Sequence, residues 1–138
     1  MIIGDGGHAS VVRSFYDGPW PIIAIGDNAT RKRISKDMSD QYFGCAIHPS
    51  AVIAKDCKIG TGTIIMAGVI VQIRAKIGKH CILNTSCSVD HHCVLEDYVH
   101  IAPGAHLCGN VHVGEGALVG VCVGVAPGAK IPPWSIVK

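Results

Sequence analysis

A histidine and a glycine, two groups that acyl transfer can use, lie 18 positions apart at His91 and Gly109. An imidazole can accept a proton near neutral pH, and a glycine N–H can donate to a tetrahedral oxyanion without a side chain in the way. These contributions are typically about 10²–10⁴-fold in rate for the base and about 10²–10³-fold for the oxyanion donor. Asp90 and His92 flank the histidine and are further candidate catalytic residues. The pair can act together only if the fold stacks positions 18 apart.

Aliphatic residues recur every six positions through the last two thirds of the chain. The row is unbroken and consists of Ile47, Ile53, Ile59, Ile65, Val71, Ile77, Leu83, Val89, Leu95, Ile101, Leu107, Val113, Val119, Val125, Ile131 and Val137. A second row of small residues follows four positions after each: Ala51, Cys57, Thr63, Val69, Ala75, Cys81, Cys87, Cys93, Val99, Ala105, Val111, Ala117, Val123, Ala129 and Ser135. The pairs between the rows, such as Pro103-Gly104, are polar or turn-forming. This pattern predicts a repeat architecture.

Six-residue units with one aliphatic and one small inward position predict short parallel strands, three of which form a triangular coil. Each coil then takes 18 residues, and hydrogen bonds run between coils spaced roughly 4.8 Å apart. From residue 47 to the last residue there is room for about five coils. We therefore expect Gly109 one coil above His91, with the base beside the oxyanion donor.

The first 44 residues lack the hexad and predict a small α/β subdomain, with the coil occupying residues 45–138. A short strand leads into the glycine turn of residues 4–8, and a second strand ends in residues 26–28. Glycines at such turns let the backbone approach a phosphate. A helix over residues 29–38 carries Arg31, Lys32 and Arg33, which we interpret as a solvated basic face. The subdomain is too small to bury its own core and should lean on the first coil or a neighbouring subunit.

Composition excludes several classes of protein. Twelve Lys and Arg against ten Asp and Glu are too balanced for a typical nucleic-acid binder. The uncharged run over residues 117–129 is shorter than a membrane span and is interrupted by glycine and proline. No basic and apolar leader precedes the first strand, and seven cysteines without metal-type spacing fit free thiols. We expect a cytoplasmic protein without membrane insertion.

Most of the eight histidines are interpreted as structural. His80, His106 and His112 lie at corner or outward positions of single hexads, where solvated or subunit-contact histidines are expected. No two histidines are separated by 18 or 36 residues, so no metal site is predicted within one chain. Four cysteines fall in the inward row and are interpreted as packing groups: Cys57, Cys81, Cys87 and Cys93.

Several motifs together resemble one family. Gly-Asp-Gly-Gly-His opens the chain, Ala-Ile-Gly-Asp-Asn precedes the basic helix, Ile-His-Pro-Ser-Ala enters the coil, and Asn84-Thr85-Ser86 leads to Val89-Asp90-His91. The chain resembles the hexapeptide-repeat sugar acetyltransferases of the sialic-acid O-acetyltransferase and bacillosamine N-acetyltransferase group (NeuD/PglD-like). The resemblance implies a left-handed β-helix preceded by a shortened Rossmann-like subdomain. It also implies a homotrimer that transfers acetyl from acetyl-CoA, bound between adjacent β-helices, to a nucleotide-linked amino sugar.

The resemblance also assigns roles to residues. His91 matches the general base, Gly109 the backbone donor to the acetyl carbonyl, and His100 a histidine near the acetyl group from across the subunit interface. Asn84 matches an active-site polar residue, and His8 matches a histidine near the nucleotide sugar. The nucleotide-binding turns are matched by Gly4, Gly6, Gly7, Gly26, Asp27 and Asn28.

Three features depart from the family pattern. His92 stands where the family usually carries Asp or Glu, so either Asp90 orients the base or the base is weaker. The segment between Phe15 and Ile22 is shorter than in the family, which removes part of the nucleotide pocket. The coil also ends at Lys138 without the family's capping segment. O-acetylation of a sialic acid or another sugar, and a trimeric scaffold with impaired catalysis, are therefore kept as alternatives.

Overall fold

A computed structural model describes all 138 residues and contains a coil of short strands preceded by a small lobe. Each coil strand is two residues long, and the strands recur every six residues as the hexad predicts. They are β3 (Ala46–Ile47), β4 (Val52–Ile53), β5 (Lys58–Ile59), β6 (Ile64–Ile65), β7 (Ile70–Val71), β8 (Lys76–Ile77), β9 (Ile82–Leu83), β10 (Ser88–Val89), β11 (Val94–Leu95), β12 (His100–Ile101), β13 (His106–Leu107), β14 (His112–Val113), β15 (Leu118–Val119), β16 (Gly124–Val125), β17 (Lys130–Ile131) and β18 (Ile136–Val137).

The strands form three parallel sheets, one for each side of the coil. Face 1 contains β4, β7, β10, β13 and β16; face 2 contains β5, β8, β11, β14 and β17; face 3 contains β3, β6, β9, β12, β15 and β18. Partners are 18 residues apart throughout, as in the pairing of Val89 with Leu107. The predicted left-handed β-helix is confirmed, and its register places residue 109 one coil from residue 91.

The two inward rows form the core of the coil. Buried residues from both rows make one cluster of 21, which includes Leu83, Cys87 and Val99. Burial decreases toward the open ends, where Ile47 is 41% exposed. Burial also raises the pKa of the Cys81 and Cys87 thiols to about 12, so both stay protonated and unreactive. Their interpretation as packing groups is confirmed.

The corners require a left-handed backbone at every sixth residue. Glycine occupies five of these positions, at Gly62, Gly68, Gly104, Gly116 and Gly128, and other residues occupy eight, at Arg74, His80, Ser86, His92, Tyr98, Asn110, Cys122 and Trp134. This conformation costs a non-glycine residue roughly 1–2 kcal/mol, a cost that the hydrogen bonds between coils offset.

The lobe contains β1 (Ile2–Ile3), α1 (Gly7–Arg13), β2 (Ile22–Ile23) and α2 (Asn28–Asp37), and β1 pairs with β2 in parallel. Its buried Ala9 and Val12 belong to one cluster with Ile64 and Ile82 of face 3. The lobe therefore leans on the coil, as its size predicts. Two strands do not confirm a Rossmann-like fold. Neither helix has the length and apolar composition to cross a membrane.

Arg31 is fully buried, so the prediction of a solvated basic face was wrong at this residue. Its guanidinium donates to the carbonyl oxygens of His80 at 2.7 Å, Tyr98 at 2.8 Å and Ile25 at 2.8 Å. It also donates to Asn28 Oδ1 at 2.6 Å. Burial lowers the pKa of Arg31 to about 10, so the group remains cationic at neutral pH. Two carbonyl groups at a corner of the coil thus bind this cation. No sequence pattern around Arg31 indicates this contact.

Lys32 also leaves the predicted solvated face, because its ammonium pairs with Glu115 at 2.6 Å and lies over the Trp134 ring. Arg33 alone of the three keeps a largely exposed side chain, 3.8 Å from Asp37.

His80 is buried rather than solvated, which corrects a second prediction. Its ring stacks on Tyr98 with centroids 5.5 Å apart and meets the Phe43 ring edge-on at 4.7 Å. A Cβ at Gly62, one coil below, would overlap the His80 ring. Burial, and secondarily Arg31, lowers the pKa of His80 to about 4, so the ring is neutral at neutral pH.

Candidate active site

His91 and Gly109 meet at the corner between face 1 and face 2, which we name the His91 corner. His91 follows β10 and Gly109 follows β13, and these strands pair in register. The His91 ring is exposed and lies against Gly109, where an added Cβ would be 2.5 Å from Nε2. Only glycine at position 109 leaves room for the ring in this position.

The backbone N–H of Gly109 is a free donor. The flanking N–H groups are both used, since Cys108 donates to the Val125 carbonyl at 3.1 Å and Asn110 to the His91 carbonyl at 3.0 Å. The Gly109 N–H makes no hydrogen bond within the chain. An exposed imidazole and an unpaired N–H therefore lie side by side, the arrangement that direct acyl transfer requires.

The ring of His91 is contacted by His92 and not by Asp90. One carboxylate oxygen of Asp90 accepts from the His91 backbone N–H at 2.7 Å. The Nδ1 atoms of His91 and His92 are 3.1 Å apart, with the rings nearly perpendicular at 84°. On the far side of His92, Nε2 lies 3.4 Å from Nη1 of Arg74. The structure gives Asp90, the residue expected to orient the imidazole, no hydrogen bond to the ring, and the group that contacts the ring is His92.

A second polar group, the Asn84 cluster, consists of Asn84, His100 and His8. The Asn84 Oδ1 accepts from the Thr85 N–H at 2.8 Å, so the amide NH₂ points at Nε2 of His100 at 3.2 Å and of His8 at 3.4 Å. Because this NH₂ can only donate, both Nε2 atoms accept and both rings carry their proton on Nδ1. His100 Nδ1 then donates to the Gly26 carbonyl at 3.3 Å.

Both rings of the Asn84 cluster are neutral at neutral pH. Burial, followed by the Arg31 charge, lowers the pKa of His100 to about 4. The same two causes lower the pKa of His8 below its usual value. With their Nε2 lone pairs occupied by Asn84, neither ring offers a free base at that atom. His91 has no such engagement at Nε2.

The glycines in the turns beside the Asn84 cluster differ in whether the structure requires them. Gly4 has a φ of +124°, and a Cβ there would lie 2.9 Å from a carbonyl oxygen of the neighbouring loop. Gly26 leaves room for the His8 ring, whose Cε1 would be 2.8 Å from an added Cβ. Gly6 and Gly7 have no atom within 4 Å of that position and face open space. A cleft of about 280 Å³ begins there, lined by Gly7, His8 and Asn84 among others.

The side chains of Asp27 and Asn28 are used within the fold. Asp27 caps α2 by accepting from the Thr30 N–H at 2.7 Å. Asn28 donates to the Gly116 carbonyl at 3.0 Å and accepts from Arg31 at 2.6 Å, which attaches the lobe to the coil. The backbone of this turn still borders an open cleft of about 270 Å³.

The predicted site residues fall into two groups within one chain. The chain leaves face 3 at Asn84, runs along β10 on face 1, and turns at His91 toward face 2. The Asn84 cluster and the His91 corner therefore lie at opposite edges of face 1. Sequence reasoning missed Arg74, although its spacing of 18 residues from His92 was a usable signal. No group of three or more metal-ligating side chains is close enough to hold an ion.

No protein-family model matches the chain. Two histidine-substituted variants of the GDP-perosamine N-acetyltransferase from Caulobacter crescentus, in complex with CoA and GDP-perosamine, are similar in structure. Each is 32% identical, with a TM-score of 0.93 over 98% of this chain and 83% of that chain. The acetyltransferase domain of PglB from Neisseria gonorrhoeae, in complex with acetyl coenzyme A, is 27% identical, with a TM-score of 0.80 over 98% and 93%.

A relative in sequence is the UDP-N-acetylbacillosamine N-acetyltransferase of Bacillus subtilis. The two are 36% identical over the matched segment, which covers 48% of this chain and 50% of the relative. The chain thus spans about half the length of this curated relative.

Proposed function

Since the chain belongs to the hexapeptide-repeat sugar acetyltransferases, we propose that it transfers acetyl from acetyl-CoA to the amine of a nucleotide-linked amino sugar, with His91 as general base. One observation carries the proposal: the exposed His91 ring lies against Gly109, whose backbone N–H makes no hydrogen bond within the chain. The family relatives named above act on GDP-linked and UDP-linked sugars, which supports an acceptor of the same chemical class.

The reaction is a direct displacement. Nε2 of His91 removes a proton from the sugar amine as its nitrogen attacks the thioester carbonyl. The Gly109 N–H donates to the oxyanion of the tetrahedral intermediate. The carbon–sulfur bond then breaks, and the His91 imidazolium returns its proton to the departing thiolate. The products are an acetamido sugar and free CoA, and no covalent enzyme intermediate forms.

A homotrimer would complete the site. The outward positions of face 1 are Val52, Ile70, Ser88, His106 and Gly124, none of them Lys, Arg, Asp or Glu. Val52 is 64% exposed and Ile70 is 41% exposed, although both are aliphatic. Face 2 instead carries lysine at three outward positions. Packing face 1 against a second copy would bury the apolar side chains and bring one protomer's His91 corner toward another protomer's Asn84 cluster.

In this assembly the two groups take different tasks. The Asn84 cluster would line the acetyl and sugar end of the site with neutral polar rings, His100 reaching the acetyl group of the neighbouring protomer. The lobe would hold the nucleotide, with Gly4, Gly6, Gly7 and His8 on one side. Gly26, Asp27 and Asn28 would contribute mainly backbone groups on the other side, since their polar side chains are used in the fold.

Thiol release from acetyl-CoA tests the proposed reaction. The acceptor panel contains GDP-, UDP- and dTDP-linked 4-amino sugars, GDP-perosamine among them, together with CMP-sialic acid as a hydroxyl acceptor. We expect turnover with an amine acceptor and a loss of about 10²–10⁴-fold in His91→Ala. His112→Ala, which alters a half-buried histidine on face 2 that pairs with Glu96, should keep full activity. Turnover with the hydroxyl acceptor alone would replace N-acetylation by O-acetylation, and no turnover with any acceptor would favour the scaffold.

Sedimentation velocity tests the trimer. Ile70→Glu places a carboxylate on face 1, whereas Lys76→Glu places one at the equivalent outward position of face 2. We expect Ile70→Glu to lower the oligomeric mass and Lys76→Glu to leave it unchanged. The same mass for both variants would remove face 1 as the subunit interface.

A further inference from the structure

The His91 corner contains a chain of ring nitrogens that is unusual for a general base. Nδ1 of His91 faces Nδ1 of His92 at 3.1 Å, and Nε2 of His92 faces Nη1 of Arg74 at 3.4 Å. All three side chains are exposed. Arg74 is held in turn by Asp56, whose Oδ1 accepts from the Arg74 N–H at 3.1 Å and whose Oδ2 lies 3.9 Å from Nε.

Each of these contacts requires one donor and one acceptor. A neutral imidazole carries a single N–H, and a guanidinium has donors only. If Arg74 donates to Nε2 of His92, the His92 proton must be on Nδ1. That proton then points at Nδ1 of His91, which must accept it. The remaining proton of His91 is thereby placed on Nε2, the nitrogen beside Gly109.

This tautomer cannot act as a base at Nε2, because the lone pair needed to accept the amine proton is already protonated. The opposite tautomer has a proton on Nδ1 of His91, which donates to Nδ1 of His92, and a proton on Nε2 of His92. It leaves Nε2 of His91 free but points an N–H of His92 at an arginine that cannot accept. The Arg74 hydrogen bond to His92 and the His91 tautomer that can act as a base therefore exclude each other.

We propose that Arg74 is a positioning residue that acts through His92 to select the tautomer of His91, holding the base in its inactive form until the guanidinium moves away. The exchange moves one proton from Nδ1 to Nε2 of His92 and one from Nε2 to Nδ1 of His91, both through water. No bond other than N–H forms or breaks. The effect on catalysis rests on the proposed function, in which His91 is the base. The choice of tautomer by Arg74 does not depend on that function.

The other charged groups around His92 are compatible with this competition. Lys58 and Lys76 line the same groove of about 340 Å³ as Arg74, and neither is hydrogen-bonded to His92. Two carboxylates lie nearby: Asp56 lines the groove and binds the Arg74 N–H, and Asp90 binds the His91 backbone N–H. Neither carboxylate is hydrogen-bonded to the His92 ring, whose partners are His91 and Arg74.

Nitrogen-15 NMR of the histidine-labelled protein at pH 8 tests the proposal without substrate, since protonated and unprotonated ring nitrogens give distinct signals. His91→Gln and His92→Gln spectra assign the two rings. We expect Nε2 of His91 to be protonated in the unaltered protein. Arg74→Met should shift the tautomer ratio toward protonated Nδ1 by about two- to fivefold, the effect of one exposed hydrogen bond. Lys76→Met removes the same charge from the same groove and should leave the ratio unchanged.

Kinetics then test the consequence. Arg74→Met should raise kcat about twofold to fivefold with KM unchanged. In a His92→Phe background the same substitution should leave kcat unchanged, because Arg74 acts through the His92 ring. The proposal is overturned if Nε2 of His91 is unprotonated in the unaltered protein, if Arg74→Met leaves the ratio unchanged, or if Lys76→Met shifts it equally. An expected NMR result with no turnover for any acceptor would reject the proposed function and leave the tautomer selection standing.

Discussion

Adding one methyl group at Gly109 gives the sharpest test of the His91 corner. The φ of Gly109 is in the range open to all residues, so alanine fits the backbone without strain. Its Cβ would nevertheless lie 2.5 Å from Nε2 of His91, whereas ordinary contacts begin at 3.4 Å. The imidazole must therefore shift by about 1 Å or rotate away from the proposed oxyanion donor, and a misplacement of about 1 Å can cost 10²-fold in rate.

We expect Gly109→Ala to lower kcat about 10²-fold, which corresponds to about 2.7 kcal/mol in activation free energy. The free energy of unfolding should change by less than about 1 kcal/mol, because the displaced ring is exposed. Steady-state thiol release gives kcat, and urea denaturation gives the free energy of unfolding. Lys130→Ala, at an exposed outward position of face 2, is the control, because it lies away from both the His91 corner and face 1. A kcat for Gly109→Ala within threefold of the Lys130→Ala value would refute the proposed geometry.

Three further predictions concern the buried groups. Arg31→Met should lower the free energy of unfolding by about 3–5 kcal/mol, because it leaves carbonyl groups buried without a donor, and should make the lobe susceptible to limited proteolysis. The folded-state pKa of His80, about 4 against 6.5, means that the unfolded chain binds the proton first as pH falls. Stability should then decrease from about pH 6.5 down to about pH 4, with His80 contributing about 3 kcal/mol and His100 a similar loss, and urea denaturation of His80→Phe should show a shallower decrease. A thiol reagent should modify the exposed Cys108 and Cys122 in the native protein and reach Cys87 only after unfolding.

The hexad predicted most of the coil because its period is a direct physical consequence of the fold. One inward aliphatic and one inward small residue are needed per strand, and three strands close a coil, so the spacing of 18 between His91 and Gly109 could be converted into contact. The same spacing contained a further signal. Gly62 leaves room for His80 one coil above, and Gly116 leaves room for Trp134 in the same way, so large rings stack over glycines along this corner.

Residues that join the lobe to the coil could not be predicted in this way. Arg31 lies on a helix with other cations, and nothing in its neighbourhood in the sequence shows that the carbonyls of His80 and Tyr98 will surround it. Asn28 likewise appears in a turn typical of nucleotide binding, yet its side chain attaches the lobe to the Gly116 carbonyl. Such contacts depend on how the lobe packs against the coil. The sequence periodicity of the coil contains no information about that packing, and the lobe has no periodicity of its own.

The fold also explains why the Gly109 N–H, the proposed oxyanion donor, is free at this particular corner. Strand residues and left-handed corner residues use their N–H groups between coils, but the residue just before each left-handed position has no such partner. Carboxylates bind the N–H at several of these positions, as Asp90 does for His91 and Asp97 for Lys79. The residue before Gly109 is Cys108 and the residue 18 positions after it is Pro127, and neither offers a carboxylate, so the Gly109 N–H stays free. A carboxylate at position 108 could occupy this donor and would repel a developing oxyanion, so the neutral side chain of Cys108 is as much a part of the proposed site as the glycine that follows it.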